Sequence, residues 1–532
     1  MELEQMRFCC APDFLPCYFP LPIVLLLTAR SLVARRKIMA PSNSVFTYQI
    51  KPAVPFDAEY PLAHADVAMQ APVTTRYLLW YEGGSNPSDQ ADLVGRLQAS
   101  LQSFLCEPRE GVLALPEILG KIHSDTVAGW HCIKVTKSSS IRFVVAQRND
   151  ISYKQLEPER GGSTRLLNAE IFAAGVDAIA IPDRENGVDA FSFQVTFIQG
   201  GFVIGVSKHH YVCDGIATAN FITWWFKKAR GYRTDNVVQD SEIVPVSKMM
   251  ALHDRSSLIL EPQAEAQERR EPNGVRSSSP TTVHPMPPKT STSSLDPLSP
   301  AVRTEAGQAI FRLESSCLRE IHADASKHAN RKISTNDAIC ALLWQCITRA
   351  RLCDRNVEGQ AQTSSLIMAV NARSKFNPPL PDQYFGNCVF GATSPVPLPI
   401  LTSVDPPSLS DVAVTLRESL LAQTSDTSLR SMLQHAVAVQ STPIDKVLFL
   451  KHNLADKVLV TSWEKYFDRP EDLDVRLGAF RRLRLAGDGS AGDGIVIVLP
   501  AYGMRDKPAG VGTAYPGAWR SWSIYCAGRW SI

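Results

Sequence analysis

The sequence SKHHYVCDG, residues 207–215, decides how this chain is expected to fold. Before it, residues 191–197 alternate apolar and polar side chains, a Gly200-Gly201 pair marks a turn, and residues 202–206 form an apolar run. This order predicts a β-hairpin whose second strand is the more buried one. After it, apolar residues recur at helical spacing over about 215–228. The stretch is therefore predicted to be a tight loop between a buried strand and an amphipathic helix.

A histidine and an aspartate on this loop have the chemistry of a general-base site. A neutral imidazole, whose ordinary pKa is about 6.5, accepts a proton from a hydroxyl or an amine at neutral pH without a metal. His210, with Asp214 four residues later and Gly215 after it, is therefore the candidate general base. The alternative is a structural histidine beside a turn-forming Asp-Gly pair, and the loop alone does not decide between the two.

Several short motifs along the chain occur in an order that is typical of one enzyme family. The motifs are LPEILG at 115–120, HYVCDG at 210–215, STNDAICALLW at 334–344, MAVNAR at 368–373, YFGN at 384–387 and TSW at 461–463. Together they resemble the BAHD acyl-CoA-dependent acyltransferases, in particular the fungal secondary-metabolism branch of trichothecene acetyltransferase-like proteins. The resemblance extends from about residue 45 to about residue 500.

The resemblance implies an α/β fold in which two similarly built chloramphenicol-acetyltransferase-like domains, each of mixed sheet plus helices, are joined by a crossover linker. It implies an enzyme that transfers an acyl group, most simply acetyl, from acyl-CoA to a hydroxyl of a small, apolar secondary metabolite. Acyl-CoA would be a co-substrate, with no tightly bound cofactor, no metal and no covalent intermediate. His210 would take the acceptor's proton in a channel between the two halves.

The resemblance also implies an ion pair that supports the site. Asp214 is expected to pair with Arg373 of the VNAR segment and to point away from the substrate. A bidentate contact between the carboxylate and the guanidinium would fix the loop that carries His210 and Gly215. Asp214 is therefore assigned a structural role, and no charge relay is expected.

The family's second signature, DFGWG, is degenerate in this chain. It corresponds to residues 474–478, DVRLG, in which only Asp474 and Gly478 agree, and the resemblance implies that these two residues support the site. Leu477 replaces a tryptophan that the resemblance places near the developing oxyanion, and leucine has no side-chain donor for that charge. A catalytically impaired member that acts as a binding or pathway partner is therefore a second hypothesis.

A third hypothesis concerns the acceptor and the donor. His209 and His210 together also fit the HHxxxDG string of condensation-type enzymes, so transfer to an amine or from a carrier-bound donor is an alternative to transfer to a hydroxyl. Condensation-type modules are normally embedded among carrier domains, and this chain contains none. Transfer to a hydroxyl is therefore the preferred prediction.

Composition divides the chain into four predicted regions. Residues 1–38 form an N-terminal extension, 39–250 the first acyltransferase domain, 251–305 a Ser/Pro-rich linker, and 306–532 the second domain with a divergent tail. The linker composition cannot bury enough apolar surface to offset the entropy cost of ordering it.

Residues 14–29 carry no charge but include three prolines. A membrane anchor is therefore less favoured there than a disordered extension or an artefact of the start position.

Charge and cysteine usage exclude several classes of function. The 55 Lys and Arg against 53 Asp and Glu give a net charge of +2, and the basic residues are scattered, so no nucleic-acid partner is expected. The 12 cysteines form no CxxC pair, which predicts reduced thiols in a cytoplasmic enzyme without a zinc site. Cys213 is interpreted as a buried small residue rather than a nucleophile.

The expected partners are the small-molecule acceptor and acyl-CoA, and the chain is expected to be a monomer.

Several elements outside the loop are also predicted. Ser334 is a good N-cap for a helix to about residue 352, with Cys340 and Cys346 on its buried face. A capping-box-like pair, Ser408 and Asp411, begins a second helix that ends near residue 422. Core strands are expected at 366–370, 457–461 and 495–499. The GDGSAG motif at 487–492 precedes a strand rather than a helix, which indicates a turn between two antiparallel strands and not a dinucleotide site.

Overall fold

A computed structural model describes most of the chain. The described residues are 43–107, 113–125, 129–156, 168–173, 175–231, 253–259, 307–353, 363–403, 407–439, 441–443, 445–446, 456–467, 469–486, 494–500 and 522–528. These described residues form one compact unit. The predicted N-terminal extension and its apolar run at 14–29 lie outside the described residues, and so do most of the predicted linker and residues 487–493.

The first half of the chain supplies the hairpin and the helix that flank the loop. Its strands are β1 (Ser44–Ile50), β2 (Ala58–Pro61), β3 (Thr74–Glu82), β4 (Lys121–Asp125), β5 (Trp130–Val135), β6 (Ile141–Ser152), β7 (Val188–Asp189), β8 (Phe191–Gln199) and β9 (Gly201–His209). Its helices are α1 (His64–Val67), α2 (Pro87–Gln102), α3 (Tyr153–Leu156), α4 (Ala169–Phe172) and α5 (Gly215–Gly231). Short 3-10 helices lie at Pro116–Leu119 and Ser256–Leu258. The predicted hairpin, loop and helix are therefore confirmed.

The second half of the chain repeats the mixture of strands and helices. Its strands are β10 (Gly307–Leu313), β11 (Thr363–Asn371), β12 (Val389–Pro397), β13 (Lys457–Ser462), β14 (Ala479–Leu485), β15 (Ile495–Leu499) and β16 (Trp522–Gly528). Its helices are α6 (Ser315–Ser326), α7 (Thr335–Cys353), α8 (Leu398–Thr402), α9 (Pro407–Gln423) and α10 (Asp426–Val439). Short 3-10 helices lie at Arg373–Lys375 and Pro470–Leu473. The three predicted core strands and both predicted helices are confirmed.

The strands of the described residues form three sheets. The first has the order β1-β6-β8-β9-β3-β14, the second β10-β16-β15-β13-β11-β12, and the third, a smaller antiparallel sheet, β2-β5-β4-β7. Each large sheet mixes parallel and antiparallel pairs, because β6 runs parallel to β8 in the first and β13 runs parallel to both β11 and β15 in the second. The predicted α/β class with two similarly built halves is confirmed.

One strand crosses from the second half into the first. β14 lies antiparallel to β3 at the edge of the first sheet, with Ala479 opposite Glu82 and Leu485 opposite Tyr77. β15, which follows ten residues later, lies instead in the second sheet. The prediction that the GDGSAG motif joins two antiparallel neighbours is therefore wrong, because the strands on either side of it belong to different sheets.

Part of the predicted linker and part of the predicted tail belong to the packed fold, which their composition does not indicate. Residues 253–259, at the start of the predicted linker, pack into the protein, with Leu258 fully buried and Arg255 nearly so. Near the other end of the chain, β16 lies between β10 and β15. The tail thus supplies a strand to the second sheet, although the prediction treated it as divergent.

Burial along two predicted elements differs from the sequence pattern. β8 is buried at every position except Gln199, and β9 is buried throughout. The polar residue Gln194 is accommodated inside because its side-chain amide donates to the backbone oxygen of Ile171 in α4 at 2.6 Å. On α7, Cys340 is buried but Cys346 is exposed, so the prediction for Cys346 is wrong. Six residues turn a helix through about 600°, which places these two side chains on different faces.

The caps of the second-half helices follow the prediction where they are described. The Ser334 hydroxyl accepts from the backbone N–H of Asp337 at 3.2 Å, and the Asp337 carboxylate accepts from the backbone N–H of Ser334 at 2.8 Å. This reciprocal pair satisfies two donors at the start of α7. The side chain of Ser408, the predicted cap of α9, lies outside the described residues. No helix within the described ranges is both long enough and apolar enough to cross a membrane.

Candidate active site

The predicted catalytic loop is five residues long, because β9 ends at His209 and α5 begins at Gly215. Backbone pairing fixes its first residue: Thr74 of β3 lies opposite His209, and the His210 N–H donates to the backbone oxygen of Val73 at 2.8 Å. The loop therefore begins beside Thr74, the first residue of β3. At this edge the first sheet meets the second half of the chain.

The predicted ion pair between Asp214 and Arg373 is present and bidentate. Nη1 of Arg373 donates to Oδ2 of Asp214 at 2.7 Å, and Nη2 donates to Oδ1 at 3.0 Å. The side chain of Arg373 is fully buried and that of Asp214 is 1% exposed. The pair joins the end of the catalytic loop to the segment that follows β11, which places residues from both halves at the site.

Asp214 uses both carboxylate oxygens for structural contacts. In addition to Arg373, Oδ1 accepts from the backbone N–H of Ala217 at 3.0 Å and Oδ2 from that of Cys388 at 2.9 Å. Burial alone would raise the pKa of Asp214, but the Arg373 guanidinium and these donors lower the pKa below its ordinary value. The carboxylate is thus held ionised and directed toward Arg373 and the start of α5, which is the orientation that the resemblance implies.

His210 lies on the loop with an imidazole that is only half-buried. Its Nδ1 atom is buried and has no hydrogen-bond partner within the described part of the chain. Burial lowers the pKa of His210 to about 3, and the Lys208 ammonium acts in the same direction. The ring is therefore neutral at physiological pH and free to accept a proton.

The neighbouring His209 has a different environment. Its Nδ1 accepts from the backbone N–H of Tyr211 at 3.2 Å, so Nε2 is the protonated nitrogen and donates to the backbone oxygen of Ala180 at 2.7 Å. The residue is fully buried, and burial lowers its pKa to about 4. Both ring nitrogens of His209 are thus used by the backbone, and the side chain cannot also serve as a base.

Two further residues of the motif are buried behind the loop. Lys208 is 1% exposed, and its ammonium donates to the backbone oxygen of Cys213. Cys213 is fully buried, and burial raises the pKa of its thiol to about 11. A buried thiol with a raised pKa is a poor nucleophile, which agrees with the interpretation of Cys213 as a packing residue.

Gly215 lies where the first half of the chain contacts the second. A Cβ atom at this position would collide with the Tyr466 ring and hydroxyl, so a larger residue would have to displace the Tyr466 side chain. Tyr466 stacks on Trp463 at a ring-centroid distance of 5.6 Å, and Trp463 stacks on Tyr77 of β3 at 4.9 Å. These three aromatic residues form a wall beside the catalytic loop that spans both halves.

Three buried polar residues at the loop were not predicted as members of the site. Asp66, Arg255 and Asn387 are buried side chains within one hydrogen-bond network that reaches the backbone of His210 and Val212. Asn387 belongs to the YFGN motif, and this motif was the one feature of the sequence that could have indicated its place at the site. Asp66 and Arg255 are 189 residues apart, and no local pattern indicates that they meet.

The degenerate second signature lies at the opposite end of the first sheet, not at the site. A Cβ on Gly478 would lie 2.6 Å from the backbone oxygen of Glu82, and Gly478 has a φ of 62°, so glycine is required by both space and conformation. Along β3, Glu82 is eight residues from Thr74, which is about 27 Å of strand. The prediction that Asp474 and Gly478 support the catalytic loop is therefore wrong, because this segment lies at the other end of β3.

This segment stabilises the crossing strand instead. The Asp474 side chain accepts from the backbone N–H of Arg476 at 2.8 Å, and its backbone oxygen accepts from Arg230 of α5 at 2.7 Å. These contacts form a tight turn that directs β14 along β3. The expected position of Leu477 near the oxyanion is wrong for the same reason, because Leu477 lies beside Gly84, just after the Glu82 end of β3.

We expect that Leu477→Trp leaves kcat within about twofold of wild type. A donor introduced at a developing oxyanion would raise the rate by a factor on the order of 10², but residue 477 is too far from His210 to act there. Steady-state kinetics of the folded variant, with the folded fraction determined by circular dichroism, check this. A tenfold gain in kcat would contradict the location derived from the β3 register.

Within the described ranges, no three His, Cys, Asp or Glu side chains converge in a way that could hold a metal ion.

A family model described as the Transferase family matches residues 142–467, which include the loop, the Asp214–Arg373 pair and two of the three residues of the aromatic wall, Trp463 and Tyr466. Anthranilate N-benzoyltransferase protein 1 of Dianthus caryophyllus is 30% identical over 288 residues, which are 53% of this chain and 56% of the relative. Eremophilane O-acetyltransferase prx11 of Penicillium rubens is 27% identical over 157 residues, which are 29% of this chain and 32% of the relative. The chain thus covers less than two thirds of the length of either curated relative.

Solved structures show the same fold. The crystal structure of F. sporotrichioides TRI101 complexed with coenzyme A and T-2 aligns with a TM-score of 0.62 at 18% identity, over 88% of this chain and 95% of that one. Vinorine synthase aligns with a TM-score of 0.59 at 17% identity, over 92% of this chain and 95% of that one. Because the family model covers more than half of the chain, this protein belongs to the Transferase family, the BAHD acyltransferase family that its motifs predict.

Proposed function

We propose that this chain is an acyl-CoA-dependent acyltransferase that transfers an acyl group, acetyl in the simplest case, to a hydroxyl of a small secondary metabolite. The observation that carries the proposal is the arrangement of the loop: His210 is neutral and half-buried, its Nδ1 has no hydrogen-bond partner among the described residues, and Asp214 is held by Arg373. Family membership supports acyl transfer as the class of reaction.

In the proposed reaction His210 acts as the general base. The imidazole removes the proton from the acceptor hydroxyl as the oxygen attacks the thioester carbonyl, and a C–O bond forms. The tetrahedral intermediate then collapses, the C–S bond breaks, and the imidazolium returns the proton to the departing thiolate. No covalent enzyme intermediate is needed, because both substrates are held together at one base.

The nature of the acceptor and of the acyl donor is a finer part of the proposal. The printed activities of the relatives include both N-benzoyl and O-acetyl transfer, so the family alone does not choose between an amine and a hydroxyl. We propose a hydroxyl acceptor and a place in the fungal secondary-metabolism branch, which the Penicillium O-acetyltransferase supports. The working protein is proposed to be a cytoplasmic monomer that uses acyl-CoA as a co-substrate.

A product assay tests the proposed function. Purified protein is incubated with isotope-labelled acetyl-CoA and a panel of small apolar alcohols and amines, and free thiol and labelled product are measured by mass spectrometry. We expect release of coenzyme A that depends on an alcohol and a product that hydroxylamine cleaves, because esters react with hydroxylamine far faster than amides do. A product that resists hydroxylamine would indicate an amine acceptor and would contradict the hydroxyl assignment.

A thermal-shift titration with acetyl-CoA separates the enzyme from the non-catalytic alternative. A ligand that binds the native state at 100 times its Kd stabilises that state by about 2.7 kcal/mol. A shift in Tm without turnover on any acceptor would favour the binding or pathway partner. The absence of both a shift and turnover would contradict acyl-CoA as the co-substrate.

A further inference from the structure

A second buried ion pair, Asp66–Arg255, lies against the catalytic loop. We propose that Asp66 and Arg255 are positioning residues that hold the backbone of the His210 loop in addition to the Asp214–Arg373 pair. This inference rests on the proposed function, because it concerns the placement of the proposed base. Neither residue contacts a reacting atom in the proposal, and both act through the main chain of the loop.

The contacts of Arg255 link the loop to both halves of the chain. Its side chain is 4% exposed and donates to the fully buried carboxylate of Asp66. Its Nη2 donates at 3.1 Å to the backbone oxygen of Val212, within the catalytic loop, and also at 3.1 Å to that of Phe385 in the YFGN motif. One guanidinium therefore holds one carboxylate and two carbonyls in a fixed planar geometry, which a lysine ammonium cannot reproduce.

Asp66 extends the network to His210 through Asn387. Its Oδ1 accepts from the backbone N–H and the side-chain amide of Asn387 at 2.8 and 3.0 Å, and Oδ2 also accepts from the backbone N–H of Ala63 at 2.8 Å. The Asn387 amide then donates to the backbone oxygen of His210 at 2.8 Å. The carboxylate of Asp66 thus fixes the amide group that holds the carbonyl of the proposed base.

Buried side chains donate to three of the five backbone carbonyl groups of the loop. The oxygen of His210 accepts from Asn387, that of Val212 from Arg255, and that of Cys213 from Lys208. Two of these three contacts depend on the Asp66–Arg255 pair. Since a misplacement of about 1 Å can cost on the order of 10² in rate, loss of these contacts is expected to affect catalysis more than folding.

The segment that carries Arg255 is itself tied to the protein at two other points. Nδ1 of His253 lies 2.6 Å from the Glu117 carboxylate, which is fully buried, and Leu258 packs in a cluster with Ala63 and Tyr384. The first residues of the crossover between the two halves therefore form part of the support of the loop. A buried ion pair contributes little net stability compared with a well-packed apolar pair, which favours a positioning role for this one.

Paired substitutions test the inference without leaving a buried charge uncompensated. The double variant Asp66→Asn, Arg255→Gln removes both charges and the guanidinium contacts to the loop. We expect kcat to fall on the order of 10²-fold with KM for acetyl-CoA within about threefold. The single variant Arg255→Lys keeps a cation beside Asp66 but cannot reach both carbonyls, so it should show an intermediate kcat.

The matched control removes another ion pair with a buried carboxylate, one that joins two helices of the second half. Arg417 of α9 donates to the Asp337 carboxylate of α7 at 2.9 Å, and Asp337 is nearly fully buried. The double variant Asp337→Asn, Arg417→Gln should lower Tm to a comparable extent and leave kcat within about twofold. An equal loss of kcat in both double variants would overturn the inference, and so would an unchanged kcat in the loop variant.

A spectroscopic measurement separates this inference from the proposed function. The ¹³Cε1 resonance of His210, assigned by its loss in His210→Gln, reports the environment of the ring without any substrate. We expect it to move in the Asp66→Asn, Arg255→Gln variant and to stay in place in the control. If wild type transfers no acyl group to any acceptor but the resonance moves, the function fails and the positioning role holds. A resonance that does not move overturns the positioning role whatever the activity.

Discussion

Replacing His210 with alanine is expected to lower kcat for acyl transfer by a factor on the order of 10²–10⁴, which is the usual contribution of a positioned general base. The ring accepts no hydrogen bond at Nδ1 within the described residues, so its removal costs few native contacts. The Tm of His210→Ala is therefore expected to stay close to wild type. Steady-state kinetics and thermal unfolding of the purified variant check both parts, and a variant with wild-type kcat would contradict the assignment of the base.

The adjacent histidine gives a matched control for this result. His209 has both ring nitrogens bonded to the backbone, so His209→Gln should lower Tm and affect kcat per folded molecule much less than His210→Ala does. If the two variants lost activity equally, the loop would contain no single base. The contrast therefore tests whether position in the loop, rather than residue type, decides the role.

The pH dependence of the wild-type enzyme follows from the same environment. A base must be unprotonated to act, and burial lowers the pKa of His210 to about 3, so the active form persists as the pH falls. The rate constant kcat/KM, which reports the free enzyme, should stay flat from about pH 8 to pH 5. An imidazole at its ordinary pKa of about 6.5 would lose most of its base form over that interval, and such a decline would contradict the lowered pKa of His210.

Breaking the Asp214–Arg373 pair is expected to have the largest effect on stability. The variant Arg373→Met leaves the Asp214 carboxylate buried without its main counter-charge, which typically costs on the order of 3–5 kcal/mol. Asp214 also accepts from Ala217 at the start of α5 and from Cys388, so its displacement would disturb the loop and the helix together. Urea unfolding measures the loss, and kcat is expected to fall with it because His210 is carried on the same loop.

An exposed pair provides the control for this prediction. Arg331 lies 2.7 Å from Glu418, and both side chains are more than a third exposed. Exposed pairs contribute less than about 1 kcal/mol, so Arg331→Met should change the free energy of unfolding by no more than that. A loss below about 1 kcal/mol in Arg373→Met as well would show that the Asp214–Arg373 contact is not what holds the loop.

Local patterns in the sequence were sufficient to predict the elements around the site. The hairpin, the five-residue loop and α5 follow from alternation, glycine turns and helical spacing, all of which depend on neighbours within one element. The pairing of Asp214 with Arg373 came from the family resemblance and not from any local pattern. The cap of α7 was predictable because the groups that satisfy its N–H donors lie within three residues.

Two features of the structure could not be predicted from the sequence, because both depend on contacts between distant segments. The exchange of β14 into the first sheet places residues 474–478 far from the loop, although the signature they resemble suggested a role beside it. The pairing of Asp66 with Arg255 joins the first half to a segment that composition assigned to a linker. In both cases the partner of a side chain or strand is set by the packing of whole sheets, which no window of the sequence contains.

The late position of β14 has a consequence for how the protein is made. Until about 485 residues have left the ribosome, the strand Thr74–Glu82 has no neighbour on one side, and its unpaired N–H and C=O groups are open to other chains. The nascent protein must therefore carry an incomplete sheet through most of its synthesis, a state that is prone to aggregation and that chaperones commonly protect. Yield in a cell is thus expected to depend on chaperone capacity more than the stability of the finished protein would indicate.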